Sequence, residues 1–107
     1  MNISYAWIAF HSNPGFKRYL SRFRCEKEAL RAFMAIYAEA FEVLPALQKG
    51  VRYSCELLCG SILWRRYPRH GQHSALGIAL KHLVNVGALP LICVTPTQNN
   101  KFYTSKE

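Results

Sequence analysis

Residues 72–94 read QHSALGIALKHLVNVGALPLICV, and the way this stretch changes texture decides the fold. From Gln72 to Val86 the apolar residues Leu76, Leu80, Leu83 and Val84 recur with helical spacing, so the segment is expected to be a helix with one buried stripe. Gly87 stands where a left-handed residue ends a helix. Beyond it Leu89 to Val94 is strand-like and Thr95 to Asn100 is a polar turn segment. Lys101 to Thr104 is placed to return as the second strand of a hairpin.

Working upstream, Tyr53-Ser54-Cys55-Glu56 has the form of a helix start with Ser54 as N-cap. The short helix it opens meets Gly60, where a sharp turn is permitted. Ser61 to Tyr67 continues as a further helical turn carrying Trp64, Arg65 and Arg66, and Pro68, Arg69, His70 and Gly71 form a loop. Glu26 to Leu44 is the clearest helix. Leu30, Phe33, Met34, Tyr37, Phe41 and Leu44 mark its expected buried stripe, and Ala29, Ala32, Ala35, Ala38 and Ala40 supply propensity. Glu26 and Glu28 favour its positive N-terminal end, and Pro45 stops it. Before it, Asn13 is the expected N-cap of another helix, with Pro14 at its first position. Phe16, Tyr19, Leu20 and Phe23 form its apolar stripe; Lys17, Arg18, Arg22 and Arg24 form its basic outer face.

A chain of 107 residues is one domain's worth of sequence. Half of it is apolar and 13% is aromatic, enough for a core without disulfides or a structural metal. No apolar run reaches the ~20 residues a membrane span needs. The apolar stretch Ile3 to Phe10 has neither a charged region before it nor a small-residue cleavage site after it, so it is expected to belong to the fold and not to a signal peptide. The expected location is cytoplasmic, and Cys25, Cys55, Cys59 and Cys93 are then expected to be thiols. Fourteen Lys and Arg against six acids give a net charge of +8, the footprint of a polyanionic partner. All the acids are Glu. The absence of Asp counts against a hydrolase or a metal-dependent nuclease.

The order of short helix, turn, longer helix and β-hairpin resembles the winged helix-turn-helix DNA-binding family, over roughly residues 50–104 and at the level of pattern. The resemblance implies an α+β, mostly α fold: a single domain with residues 1–49 as helical support and 50–104 as the winged unit. It also implies that Gln72–Val86 is a recognition helix lying in the major groove of duplex DNA. The side of that helix away from the leucines offers Gln72, His73, Ser74, Gly77, Ile78, Lys81, His82 and Asn85, and no carboxylate. Gln and Asn suit adenine, Lys suits guanine or phosphate, and small residues allow close approach. Arg65, Arg66, Arg69, His70 and His73 would hold phosphates and position the helix. In the wing, Asn99, Asn100 and Lys101 would reach an adjacent groove or the backbone. Trp64 and Tyr67 are expected to anchor the core or the loop. The turn from Gly60 to Gly71 is longer than a tight helix-turn-helix has.

Cys55 and Cys59, followed by His70 and His73, form the competing constellation, since two thiolates and two imidazoles can hold zinc tetrahedrally. The spacing fits no standard knuckle, and the two cysteines also suit simple packing as small apolar residues. Cysteine with His82 or His73 offers a nucleophile and a base, but only Glu to orient them. The chain has no nucleophile elbow, P-loop or glycine-rich phosphate cradle, so no enzyme and no cofactor are expected. The expected function is a small transcriptional regulator that binds duplex DNA, with a homodimer as its open oligomeric question and no membrane partner. One alternative is a small phage- or plasmid-type protein or inhibitor that docks its basic surface on an acidic or nucleic-acid-binding host protein. RNA binding is the second, although no RNP-type aromatic motif is present.

Overall fold

The computed structural model describes residues 3–69, 71–94 and 102–106. Six helices, α1 (Ile3–Phe10), α2 (Phe16–Leu20), α3 (Glu26–Val43), α4 (Cys55–Cys59), α5 (Ser61–Arg66) and α6 (Gln72–Asn85), are joined by three short strands, β1 (Tyr53–Ser54), β2 (Leu91–Cys93) and β3 (Phe102–Ser105). The chain is therefore mostly helical, with one small antiparallel sheet in the order β1-β3-β2. Tyr53 pairs with Tyr103 on one side of β3, and Cys93 pairs with Tyr103 on the other. The expected hairpin is β2 and β3. Its polar turn, with Asn99, Asn100 and Lys101, lies outside the described residues. The strand β1 was not expected: two residues carry no periodicity, and its pairing comes from β3, some fifty positions on.

Local signals explain most boundaries. Ser54 Oγ accepts from Leu57 N at 3.2 Å and caps α4. Gly87, at φ +81°, terminates α6: its N–H donates to Val84 O, and the Ala88 N–H donates to Leu83 O. That pair of bonds is a Schellman cap, and only glycine adopts the left-handed conformation freely there. At the other end of the chain, α2 starts later than expected, at Phe16 with Gly15 at its N-cap position, so neither Asn13 nor Pro14 takes its expected helical place. The Asn13 side chain accepts from Gly15 N and its carbonyl from Phe16 N, which shapes the turn before α2 without standing as the helix N-cap.

The phase of α3 differs from the expected stripe. Ala29, Ala32, Phe33, Ile36 and Ala40 are buried, whereas Met34 and Phe41 are about half exposed, at 48% and 55%. Helix α3 packs against α6, where Ala75 and Ala79 are buried as well. Small buried residues on both helices suit a close approach of their axes. The N-terminal segments complete this core. Trp7, Phe10, Phe16, Tyr19 and Phe33 form an aromatic cluster with centroids 5.1–6.5 Å apart, mostly edge-to-face with Phe10 stacked on Phe33, in the range where aromatic pairs attract. One buried cluster runs from Ala6 to Tyr103. No helix among the described residues is long and apolar enough to cross a membrane.

Candidate functional site

Helix α6 is covered on more sides than its leucine pattern suggests. Two side chains expected to face outward are turned inward. Gln72 is 2% exposed: its Oε1 accepts from Arg69 N at 3.0 Å, and its Nε2 donates to Arg22 O at 3.0 Å. His82 is 4% exposed, stacked on Phe10 with centroids 4.6 Å apart and hydrogen-bonded to Ala6 O at 2.9 Å. Both are occupied in holding α6 to the N-terminal half and cannot read a base edge. Ile78 is half-buried under α2, where a Cβ on Gly15 would come within 2.8 Å of its Cγ2.

What remains on the outer side of α6 is a narrower stripe. Ser74 and Asn85 are exposed, and Gly77 and Lys81 are half-buried between them. Their spacing of three and four residues keeps them on one face. The stripe has no carboxylate. His73 stands beside it, stacked flat on Trp64 at 3.9 Å, with Nε2 donating to Trp64 O at 2.9 Å. This contact fastens the end of α5 to the start of α6, so Trp64 and His73 anchor each other.

The basic turn lies elsewhere. Arg66 and Arg69 join Arg24 and Arg31 around a cavity of about 500 Å³, whose other walls are Glu28, Tyr67, Pro68 and Gln72. Lys81 follows Gln72 by nine positions, about two and a half turns at 3.6 residues per turn, which puts the two on opposite sides of the helix. The arginine cavity and the Ser74–Asn85 stripe therefore flank α6 instead of forming one continuous face. Arg65 is exposed and folded back on its own helix, Nε donating to Ser61 O at 3.3 Å. Burial pushes the Tyr67 phenol up from its ordinary value and Glu28 adds to that, while Arg66 and Arg31 pull the other way. Tyr67 is thus a neutral hydrogen-bond donor at the cavity wall at neutral pH. Arg31 was not among the expected site residues, because nothing in its own helix distinguishes it from any solvated arginine. Only the turn folding over α3 brings it to Arg66.

The cysteine pair is adjacent in space, with Sγ atoms 3.7 Å apart across one turn of α4. Cys59 is buried, and its contact with Cys55, then burial, push its thiol up. Among the described residues no group of three or more His, Cys or Glu side chains is placed to hold a metal. His73 is engaged by Trp64, while His70 lies outside the described residues.

Comparison with protein-family models, with curated proteins and with solved structures finds no significant match to this chain.

Proposed function

We propose that the chain is a small DNA-binding protein that acts by occupying duplex DNA, with the outer stripe of α6 in the major groove. The observation that carries this reading is the stripe itself: Ser74, Gly77, Lys81 and Asn85 in line, without an acid, on a protein with a net charge of +8. An amide, a hydroxyl and an ammonium are groups that pair with base edges and phosphates, and Gly77 leaves room for close approach. The element order supports a winged helix-turn-helix arrangement. The helices α3, α4, α5 and α6 are followed by the β2–β3 hairpin, and β1 ties that hairpin back to the start of α4. In this arrangement α6 is the recognition helix, and the exposed Arg65 supplies a backbone contact.

The exposed row Met34, Tyr37 and Phe41 on α3 supports a homodimer. Two of its three members are about half exposed, and the Tyr37 and Phe41 rings lie 5.7 Å apart. A two-fold dimer would present two copies of α6 to successive turns of the groove.

The decisive experiment measures binding to random duplex DNA, single-stranded DNA and RNA across a salt series. A log–log salt slope seen on the duplex alone supports the reading. Equal binding to all three, or none, overturns it, and a slope confined to RNA replaces duplex DNA by RNA.

A further inference from the structure

The cavity at the N-terminal end of α6 has a composition the duplex reading does not use. Four arginines, Arg24, Arg31, Arg66 and Arg69, line it, and Glu28 is the only acidic residue among the lining residues. The acid–base contact found among the described residues joins His11 to Glu26 at 3.7 Å, so none of the four arginines there has an ion-pair partner. All four arginines are exposed, so water screens their mutual repulsion and their forks stay open to an anion entering the concavity.

The walls are built to stay in place. Gln72 spends both ends of its amide on backbone groups, Arg69 N and Arg22 O, which ties the turn to the end of α2. Gly71 sits at φ +81°, where an added Cβ would lie 2.8 Å from Arg22 Cζ, so the Arg22 side chain packs directly against the turn. Tyr67 is braced edge-on by Phe23 at 5.6 Å.

We propose that this cavity is a binding site for a compact polyphosphate, the pyrophosphate group of a small ligand such as a nucleoside di- or triphosphate. A guanidinium presents its donors as a planar fork that matches two phosphate oxygens, and four forks around one space suit a ligand with several charged oxygens close together. About 500 Å³ exceeds what a single phosphate fills and lies within the range of small-molecule sites. The Tyr67 hydroxyl adds a neutral donor. Tyr67 and Pro68 line the same space and add apolar surface for the rest of such a ligand. A duplex backbone offers singly charged phosphates along a convex rail, a poorer match to a concave site. The proposal goes beyond the duplex reading and does not depend on it.

Calorimetric titration of the full chain, without DNA, with sodium pyrophosphate, ATP and orthophosphate tests it. The expected result is one site per chain, with pyrophosphate bound more tightly than orthophosphate. Arg31→Ala and Arg66→Ala should each weaken binding at least ~tenfold, and Lys81→Ala should leave it unchanged. Tighter binding of ATP than of pyrophosphate assigns the ligand as a nucleotide; equal binding assigns free pyrophosphate. Should Arg31→Ala lower the melting temperature sharply, Arg66→Lys and Glu28→Gln replace it. The first keeps charge but loses the fork and should weaken binding; the second removes the lone carboxylate and should tighten it. No heat with millimolar pyrophosphate, or equal losses in Lys81→Ala and Arg66→Ala, overturns the proposal. So does binding of oligonucleotides without binding of pyrophosphate. Failure of the duplex reading appears separately, as loss of the salt slope with pyrophosphate binding intact.

Discussion

Asn13 and His82 stand 69 residues apart in the chain and meet through a 3.2 Å contact between Asn13 Nδ2 and His82 Nδ1. The surrounding bonds fix its direction. Gly15 N can only donate, so the Asn13 atom it meets at 2.8 Å is the carbonyl oxygen, and the amide nitrogen faces His82. Nδ1 of His82 therefore accepts, and the ring hydrogen sits on Nε2, which donates to Ala6 O. One imidazole thus links α6 to α1 and to the turn before α2, with every polar atom of the ring satisfied.

Removing either partner should cost more than the bond itself. His82→Ala takes away a buried ring, its bond to Ala6 O and the partner of the Asn13 amide, a loss of about 2–4 kcal/mol. Asn13→Ala should cost about 1–2 kcal/mol. Urea denaturation of both single variants and the double variant would show a positive coupling near 1 kcal/mol. Strictly additive losses would mean that the two side chains do not share a bond.

The contrast between expectation and structure at this spot shows which information a sequence carries. The limits of α3 and α6, the Ser54 cap and the Gly87 terminator are set by neighbouring residues and were legible. Pro45, two positions beyond α3, and Gly87, two beyond α6, act within one turn of the helices they end. The burial of Gln72 and His82 was not legible, since a polar residue on a helix is assigned outward unless its partners are known. Those partners, Arg22 O, Ala6 O and Asn13, come from elements at least 50 residues away. The phase of α3 was ambiguous for another reason: interspersed alanines make two adjacent faces apolar, and only the elements packed against α3 decide between them. The arginine cavity combines both difficulties. Arg66 and Arg69 stood out as a cluster, whereas Arg24 and Arg31 join them only through the folding of the turn onto α3.

Two buried tyrosines should respond oppositely to loss of their hydroxyls. Tyr19 OH donates to Ala29 O at 2.6 Å, so Tyr19→Phe should destabilise by about 1 kcal/mol. Tyr103 OH is buried with no hydrogen-bond partner among the described residues, so Tyr103→Phe should be neutral or stabilising. Burial pushes both phenols above their ordinary value of 10.0. The unfolded chain then loses these protons first. Stability from the pair is complete below about pH 10 and falls as pH rises above it. Denaturation midpoints at pH 8 and pH 11 check the sign, and a flat profile in wild type would contradict it.

The duplex reading predicts a division of labour along α6. Lys81→Ala should weaken duplex binding and lower its salt slope by about one, with the fold intact. Gln72→Ala should do the reverse: it removes the bonds to Arg69 N and Arg22 O and so lowers the melting temperature, while the folded fraction keeps its affinity for DNA. Fluorescence anisotropy at several salt concentrations, alongside thermal melts, separates the two. Unchanged anisotropy curves for Lys81→Ala would remove α6 from the interface.

The phase of α3 can be tested without any ligand. Ala32 is fully buried on one face of α3, and Phe41 is 55% exposed on another. Ala32→Leu forces three extra carbons into a fully buried position, which should cost about 1–3 kcal/mol or more. Phe41→Ser removes a large apolar ring from a site where it is half solvated, and in the monomer it should change stability by no more than about 1 kcal/mol. The stripe expected from the sequence, with Phe41 inside and Ala32 outside, requires the opposite ranking. Urea midpoints of the two variants at low protein concentration decide between the phases. Sedimentation of Phe41→Ser at high concentration adds the second measurement: if Met34, Tyr37 and Phe41 form a dimer face, the variant should be monomeric where the wild type is not.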